Sequence, residues 1–234
     1  MEAVILAAGL GSRLKPFTND IPKAMVSFKG VEIIKHQIQT LLSTNIEKIT
    51  IVSGYKSNKL NDFISDNFLN ENIKILENKL FSKTNSAFSA MEALENFKTD
   101  YLHLNCDILF SKKTLEKIIN SPKKNIIAAR KDLSLRDSME NIIEINGRIV
   151  NMSLKNSPQA KFKAFGLAKI SIDALKENIR SYKKLKKEVQ DKENYFGLIR
   201  MSLGDIQYHL LECDEVNLSE INTVDDLKNC KFNI

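Results

Sequence analysis

The 234 residues include no tryptophan, only three cysteines, four prolines and eight glycines, and no long apolar run. Cys106, Cys213 and Cys230 form no C-x-x-C pair, and so sparse and odd a set argues against a disulfide framework. It fits a reducing compartment, and a cytoplasmic location is expected. No stretch approaches the roughly 18–20 apolar residues that cross a bilayer, so no membrane insertion is expected. The opening Met1-Glu2-Ala3-Val4-Ile5-Leu6 carries an acid where a signal peptide carries bases, and no leader is predicted. No Pro/Gly/Ser-rich linker and no internal repeat divides the chain, which predicts a single domain over residues 1–234.

The chain is 43% hydrophobic and 27% charged, which excludes general disorder and allows a sizeable core. Lys and Arg exceed Asp and Glu by 35 to 29, a net charge of +6. Such an excess suits a nucleic-acid or membrane surface, an enzyme for small anions, or simply a solvated lysine-rich face. The basic segment Ala174–Lys192 reads as the last of these.

Short apolar runs alternate with amphipathic stretches. Strands are predicted at Glu2–Ala7, Ile49–Val52 ending at Ser53-Gly54, Ile73–Leu76 and Tyr101–Asn105. Between them, Ile33, Ile34, Ile38, Leu41 and Leu42 share one helical face, and helices are predicted at Asn58–Phe68 and Ser86–Asn96. That alternation predicts an α/β fold whose mainly parallel sheet is flanked by helices. Beyond Asp107 the pattern changes: Asn146-Gly147 between Asn141–Ile145 and Arg148–Val150 is a hairpin signal, so an antiparallel β excursion is expected.

The first strand runs directly into Gly9-Leu10-Gly11-Ser12-Arg13, which places unhindered backbone N–H groups at the carboxyl end of the sheet, beside a guanidinium. This favours phosphate. It is neither the G-x-G-x-x-G fingerprint, since Leu14 stands where the third glycine belongs, nor a Walker loop. The whole run, Leu6-Ala7-Ala8-Gly9-Leu10-Gly11-Ser12-Arg13-Leu14-Lys15-Pro16-Phe17-Thr18-Asn19-Asp20-Ile21-Pro22-Lys23, resembles the signature L-A-A-G-x-G-[ST]-R-L-x-P-x-T-x-x-x-P-K of the nucleotidyltransferase family, which activates sugar phosphates and phospho-alcohols. The resemblance implies a Rossmann-like nucleotidyltransferase fold with a nucleotide-binding part over about residues 1–110 and an acceptor-binding part over about 111–234. It also implies nucleotide contacts at Leu6, Ala8, Gly9, Gly11, Ser12, Arg13, Lys23 and Gly54.

Tyr101-Leu102-His103-Leu104-Asn105-Cys106-Asp107 is an apolar strand ending in a carboxylate. Alone, such an aspartate reads as well as a turn or helix cap. Beside a triphosphate loop it suits Mg²⁺, which takes few protein oxygens. The resemblance makes Asp107 a Mg²⁺ ligand that also faces the nucleotide, and places a second ligand at Asn222 within Ser219-Glu220-Ile221-Asn222-Thr223. Capping of the predicted helix Val224–Asn229 by Asn222 or Thr223 is the alternative reading.

Where sugar-phosphate members carry a Gly-rich segment, this chain has Glu77-Asn78-Lys79-Leu80-Phe81-Ser82-Lys83-Thr84-Asn85-Ser86. That departure resembles the branch including phosphocholine cytidylyltransferases, and implies Asn78, Asn85 and Ser86 near the nucleotide. Matches at Asp137–Glu140, Arg148–Lys155 and Phe165–Lys169 extend the likeness over nearly the whole chain and put Lys155 on the acceptor phosphate. Choline recognition favours an aromatic cage with Trp as the best face; a chain without Trp is less suited to it.

Together these imply a Mg²⁺-dependent transfer of CMP from CTP to phosphocholine or a similar small phosphate or phosphonate, feeding modification of a surface polysaccharide or lipid. Arg13, Lys23 and Lys155 would be its catalytic cations. A sugar-1-phosphate nucleotidyltransferase using another NTP is the nearer alternative. A non-catalytic nucleotide or nucleic-acid module is the further one, against which no nucleic-acid motif occurs. His36, His103 and His209 lack partner motifs and read as structural or surface residues. The oligomeric state is left open.

Overall fold

A computed structural model describes residues 1–234. Strand β1 (Glu2–Ala7) leads into a long loop with short 3₁₀ turns at Ser12–Leu14 and Lys23–Met25, followed by β2 (Ser27–Phe28) and β3 (Val31–Glu32). Helix α1 (Ile33–Leu42), β4 (Lys48–Ser53), α2 (Ser57–Asn67), β5 (Ile73–Glu77), α3 (Ser86–Leu94) and β6 (Tyr101–Asn105) then alternate as predicted. The second half holds β7 (Ile108–Phe110), α4 (Lys112–Ile119), β8 (Ile126–Arg130), β9 (Asn141–Ile145), β10 (Arg148–Ser153) and β11 (Phe162–Ile170). It closes with α5 (Ile172–Lys183), α6 (Lys187–Lys192), α7 (Tyr195–Ser202), β12 (Tyr208–Glu212), β13 (Leu218–Glu220) and α8 (Val224–Asn229).

One nine-stranded sheet runs β5-β4-β1-β6-β11-β8-β12-β10-β9. The first four strands are parallel. From β11 onward antiparallel pairing dominates, with β8 and β12 the parallel exception. The antiparallel part is thus larger than the predicted hairpin: β11, whose pattern announces no partner, lies in the middle of the sheet between β6 and β8.

Alternation along β1 shows why both faces are covered. Val4 and Leu6 pack with α3, α5 and α7, while Ala3, Ile5 and Ala7 pack with α1, α2 and α4. Each large apolar side chain so buried contributes about 1.5–3 kcal/mol. The basic segment divides likewise: Ala174, Leu175 and Tyr182 of α5 are buried, whereas Lys176, Lys183, Lys184, Lys186, Lys187 and Lys192 are exposed. A third, smaller cluster (Leu14, Val26, Phe28, Ile33, Leu109, Ile221 and Phe232) joins the glycine loop to the last residues. No helix is long and apolar enough to cross a membrane.

Candidate active site

The loops after β1, β4 and β6 emerge at one edge, since Leu6 is in register with Val52 and Asn105. Gly11 has a left-handed φ of 62°, and a Cβ there would lie 3.0 Å from Lys23 Cβ and 3.1 Å from Thr18 Cγ2. Glycine therefore lets the loop fold onto Lys23. The buried Thr18 hydroxyl locks the fold by donating to the Gly11 carbonyl at 2.9 Å.

Lys23 is the hub. Its Nζ donates to Asp107 Oδ2 at 2.6 Å and to Asn222 Oδ1 at 2.8 Å, and Arg13 Nη2 donates to the same Asn222 oxygen at 2.8 Å. Burial pulls the Lys23 pKa down, but the neighbouring groups, Asp107 foremost with Glu220 behind it, together leave the ammonium above its usual value. Asp107 stands on a turn clamped by the buried Gln37, whose Nε2 donates at 2.8 Å to the carbonyls of both Asn105 and Ile108. Asn222 arrives from the other end of the chain: β13 pairs with β7, and Thr223 and Asp226 form a capping box at α8 in which Asp226 also accepts from the Asn222 N–H.

This donor set fits a hard divalent cation. Two oxygens converge on one positive centre, and Asp107 Oδ1 is buried with no hydrogen-bond partner. No group of three or more His, Cys, Asp or Glu side chains suited to a metal occurs, so a cation held by Asp107 and Asn222 would depend on water and substrate oxygens for its remaining ligands.

Two cavities meet here. One, of about 400 Å³, is lined by Leu6, Ala8, Gly9, Leu10, Gly11, Ser12, Lys23, Phe81, Thr84, Asn85, Ser89, Cys106 and Asp107. The other, of about 530 Å³, is bounded by the loop before β9, by β11 and by the N-terminal end of α7. Arg13, Ser86, Asn105 and Asn222 line both. Of the expected nucleotide residues, Leu6, Ala8, Gly9, Gly11, Ser12, Arg13, Lys23, Asn85, Ser86 and Asp107 thus border the first cavity.

Gly54 and Asn78 do not border it. Gly54 is where Ala8 and Phe81 leave no room for a Cβ. Asn78 is buried and braces the following loop, donating to Thr84 and Ser89 and accepting from the Leu80 N–H. Asn85 caps α3, accepting from Ser86 N–H at 2.7 Å, so the capping and cavity-lining readings hold together.

Lys155 is a clearer departure: it lies exposed in the turn after β10 and lines neither cavity. The cations of the larger cavity are instead Arg13, Arg130, Arg136 and Lys163. Lys163 pairs with the half-buried Glu220, whose pKa desolvation would raise but the Lys163 ammonium holds below its usual value. Sequence reasoning missed Lys163 because its place depends on β11 entering the sheet centre, a pairing between residues far apart in the chain. His103 is structural, as its lack of a partner motif suggested. It is buried, stacks on Tyr195 at 3.3 Å between centroids, and meets Asn105 Oδ1 at 3.0 Å behind the wall shared by the cavities.

Residues 2–130 match the nucleotidyl transferase family. The chain belongs to that family. Within it, the CTP:phosphoglutamine cytidylyltransferase of Campylobacter jejuni subsp. jejuni is 30% identical over 97% of this chain and 98% of that protein. The choline-phosphate cytidylyltransferase of Streptococcus pneumoniae is 31% identical over 44% of this chain and 43% of the relative. The solved CTP:phosphocholine cytidylyltransferase of Streptococcus pneumoniae shares the fold, with a TM-score of 0.81 at 17% identity, across 98% of this chain and 97% of that one. This nucleotidyltransferase therefore has relatives whose names join CTP to different small phosphorylated acceptors.

Proposed function

We propose that this nucleotidyltransferase transfers CMP from CTP to a small phosphorylated acceptor and releases pyrophosphate. The observation that carries the reading is the junction of the two cavities at Arg13, Ser86, Asn105 and Asn222, with Lys23 and Asp107 paired on the glycine-loop side. A nucleotide in the glycine-loop cavity would present its α-phosphorus to the neighbouring cavity. The choice of CTP is supported by the two cytidylyltransferase relatives.

An oxygen of the acceptor phosphate attacks the α-phosphorus in line; the new O–P bond forms as the bond to the β-phosphate oxygen breaks. A phosphate monoester with a second pKa of about 6 is largely dianionic at neutral pH, so the protein need supply no base. Its task is to hold two anions together and to neutralise charge as it moves to the leaving pyrophosphate. The loop amides, Arg13 and Lys23 suit the triphosphate, and Lys163 suits the acceptor phosphate. Mg²⁺ held by Asp107 and Asn222 would add charge neutralisation on phosphate oxygens.

The test is pyrophosphate release across the four NTPs and a panel of phosphorylated acceptors. Release selective for CTP is expected; equal use of all four NTPs would remove the base assignment, and use of sugar 1-phosphates alone would favour the sugar branch. Asp107→Ala should stay folded while turnover falls by orders of magnitude, and wild-type turnover in that variant would refute its role.

A further inference from the structure

The larger cavity holds information about the part of the acceptor that is not phosphate. Its aromatic surfaces are already engaged. Phe165 carries Lys163 Nζ at 4.3 Å and the Arg130 guanidinium at 5.4 Å from its ring centroid. Tyr195 is buried against His103 in a stack tilted by only 3°, and Phe196 is buried at its edge. No free aromatic cage is left for a quaternary ammonium, which needs open π-faces.

Most lining charges are equally engaged. Arg130 is forked onto Asp132 at 2.8 and 2.9 Å, Glu140 receives Arg200 at 2.6 and 2.7 Å, Lys163 meets Glu220, and Glu215 meets Lys231 at 3.4 Å. Asp226 is spent on the backbone of Asn222 and Thr223, and Arg13 on Asn222. Two charged side chains on the cavity have no hydrogen bond or ion pair at all: Arg136, in the loop before β9, and Asp225, in the first turn of α8. An unengaged guanidinium presents a planar fork matched to a carboxylate, and an unengaged carboxylate matches an ammonium.

Resting on the cytidylyltransferase reading above, we infer that the acceptor is a phosphorylated zwitterion of amino-acid type, its carboxylate taken by Arg136 and its ammonium by Asp225, and not a quaternary-ammonium phosphate. The cavity of about 530 Å³ admits such a molecule beside the shared wall.

Four matched probes separate the contributions. Phosphoserine carries both groups, 3-phosphoglycerate replaces the ammonium by a hydroxyl, phosphoethanolamine lacks the carboxylate, and phosphocholine replaces the ammonium by trimethylammonium. With CTP, kcat/KM is expected to be highest for phosphoserine, about 10-fold or more above phosphoethanolamine, and lowest for phosphocholine; a forked charge-assisted contact accounts for that factor. Arg136→Gln should raise KM for phosphoserine and 3-phosphoglycerate about 10-fold while sparing kcat and the KM for CTP, and leave phosphoethanolamine unchanged. Phosphocholine or phosphoethanolamine as the best acceptor, or an Arg136→Gln enzyme that keeps the carboxylate preference, would overturn the inference. Turnover of other phosphates but of none of these four overturns it as well. Absence of pyrophosphate release with any acceptor overturns the transferase reading instead. Calorimetric titration of the same probes into the CTP-loaded protein then still ranks the cavity's preference.

Discussion

At the scale of single residues, the site is organised by an ammonium that sits where two acceptor oxygens converge. Lys23 neutralises Asp107 at 2.6 Å and donates to Asn222 Oδ1 at 2.8 Å, with its side chain only 11% exposed. A triphosphate that draws Lys23 toward its own oxygens would free both for a divalent cation. Lys23→Met should therefore leave Asp107 without a countercharge and cost about 3 kcal/mol, the lower end for a buried pair losing one partner. Millimolar Mn²⁺ without nucleotide should raise the melting temperature of this variant and leave the wild type nearly unchanged. If the variant gains nothing from the metal, the two oxygens do not form a cation seat. Arg13, Lys23 and Asp107 were legible because a contiguous motif or a strand end carries each. Arg136 and Lys163 were not, because the residues around them come from β11, α7 and the segment near residue 220.

At the scale of elements, the decisive contact lies between β6 and β11. Leu167 is in register with Leu104, and the neighbouring Gly166 fits against Asn105, whose side chain occupies the space a Cβ would need. Gly166→Ala should push Asn105 off the wall it gives to both cavities. We expect a stability loss of about 1–3 kcal/mol, as for other overpacked sites, and turnover reduced more than the remaining folded fraction explains. Unchanged kinetics would show that Asn105 does not shape the site. The parallel half was readable because each of its strands carries its own apolar run and its helices follow at short intervals. The position of β11 was unreadable, since its nine residues are consistent with any buried slot, and only its antiparallel partners β6, β8 and β9 decide which.

At the scale of the whole molecule, one buried group couples global stability to pH. Burial pushes His103 down to about 3, against an ordinary 6.5. The unfolded chain takes up a proton below pH 6.5 that the native protein refuses until about pH 3. Stability therefore falls on acidification through that window, by up to about 1.4 kcal/mol per pH unit. Urea unfolding at pH 6.5 and 5 should show about 2 kcal/mol of this loss, and His103→Phe should flatten it. An identical pH dependence in the variant would assign the acid sensitivity elsewhere.

The small cluster that joins Leu14 to Ile221 and Phe232 carries a further consequence. Arg13 donates to Asn222, 209 positions later, so the glycine loop exists early on a growing chain while its counterpart is still unmade. Until residues 218–232 have packed against β7 and the glycine loop, Lys23 has no side-chain partner other than Asp107, and the larger cavity lacks the wall formed by Glu220 and Asn222. A chain that lacks residues 218–232, nascent or clipped, would thus be a poor consumer of nucleotide, and readiness for chemistry would wait on that segment.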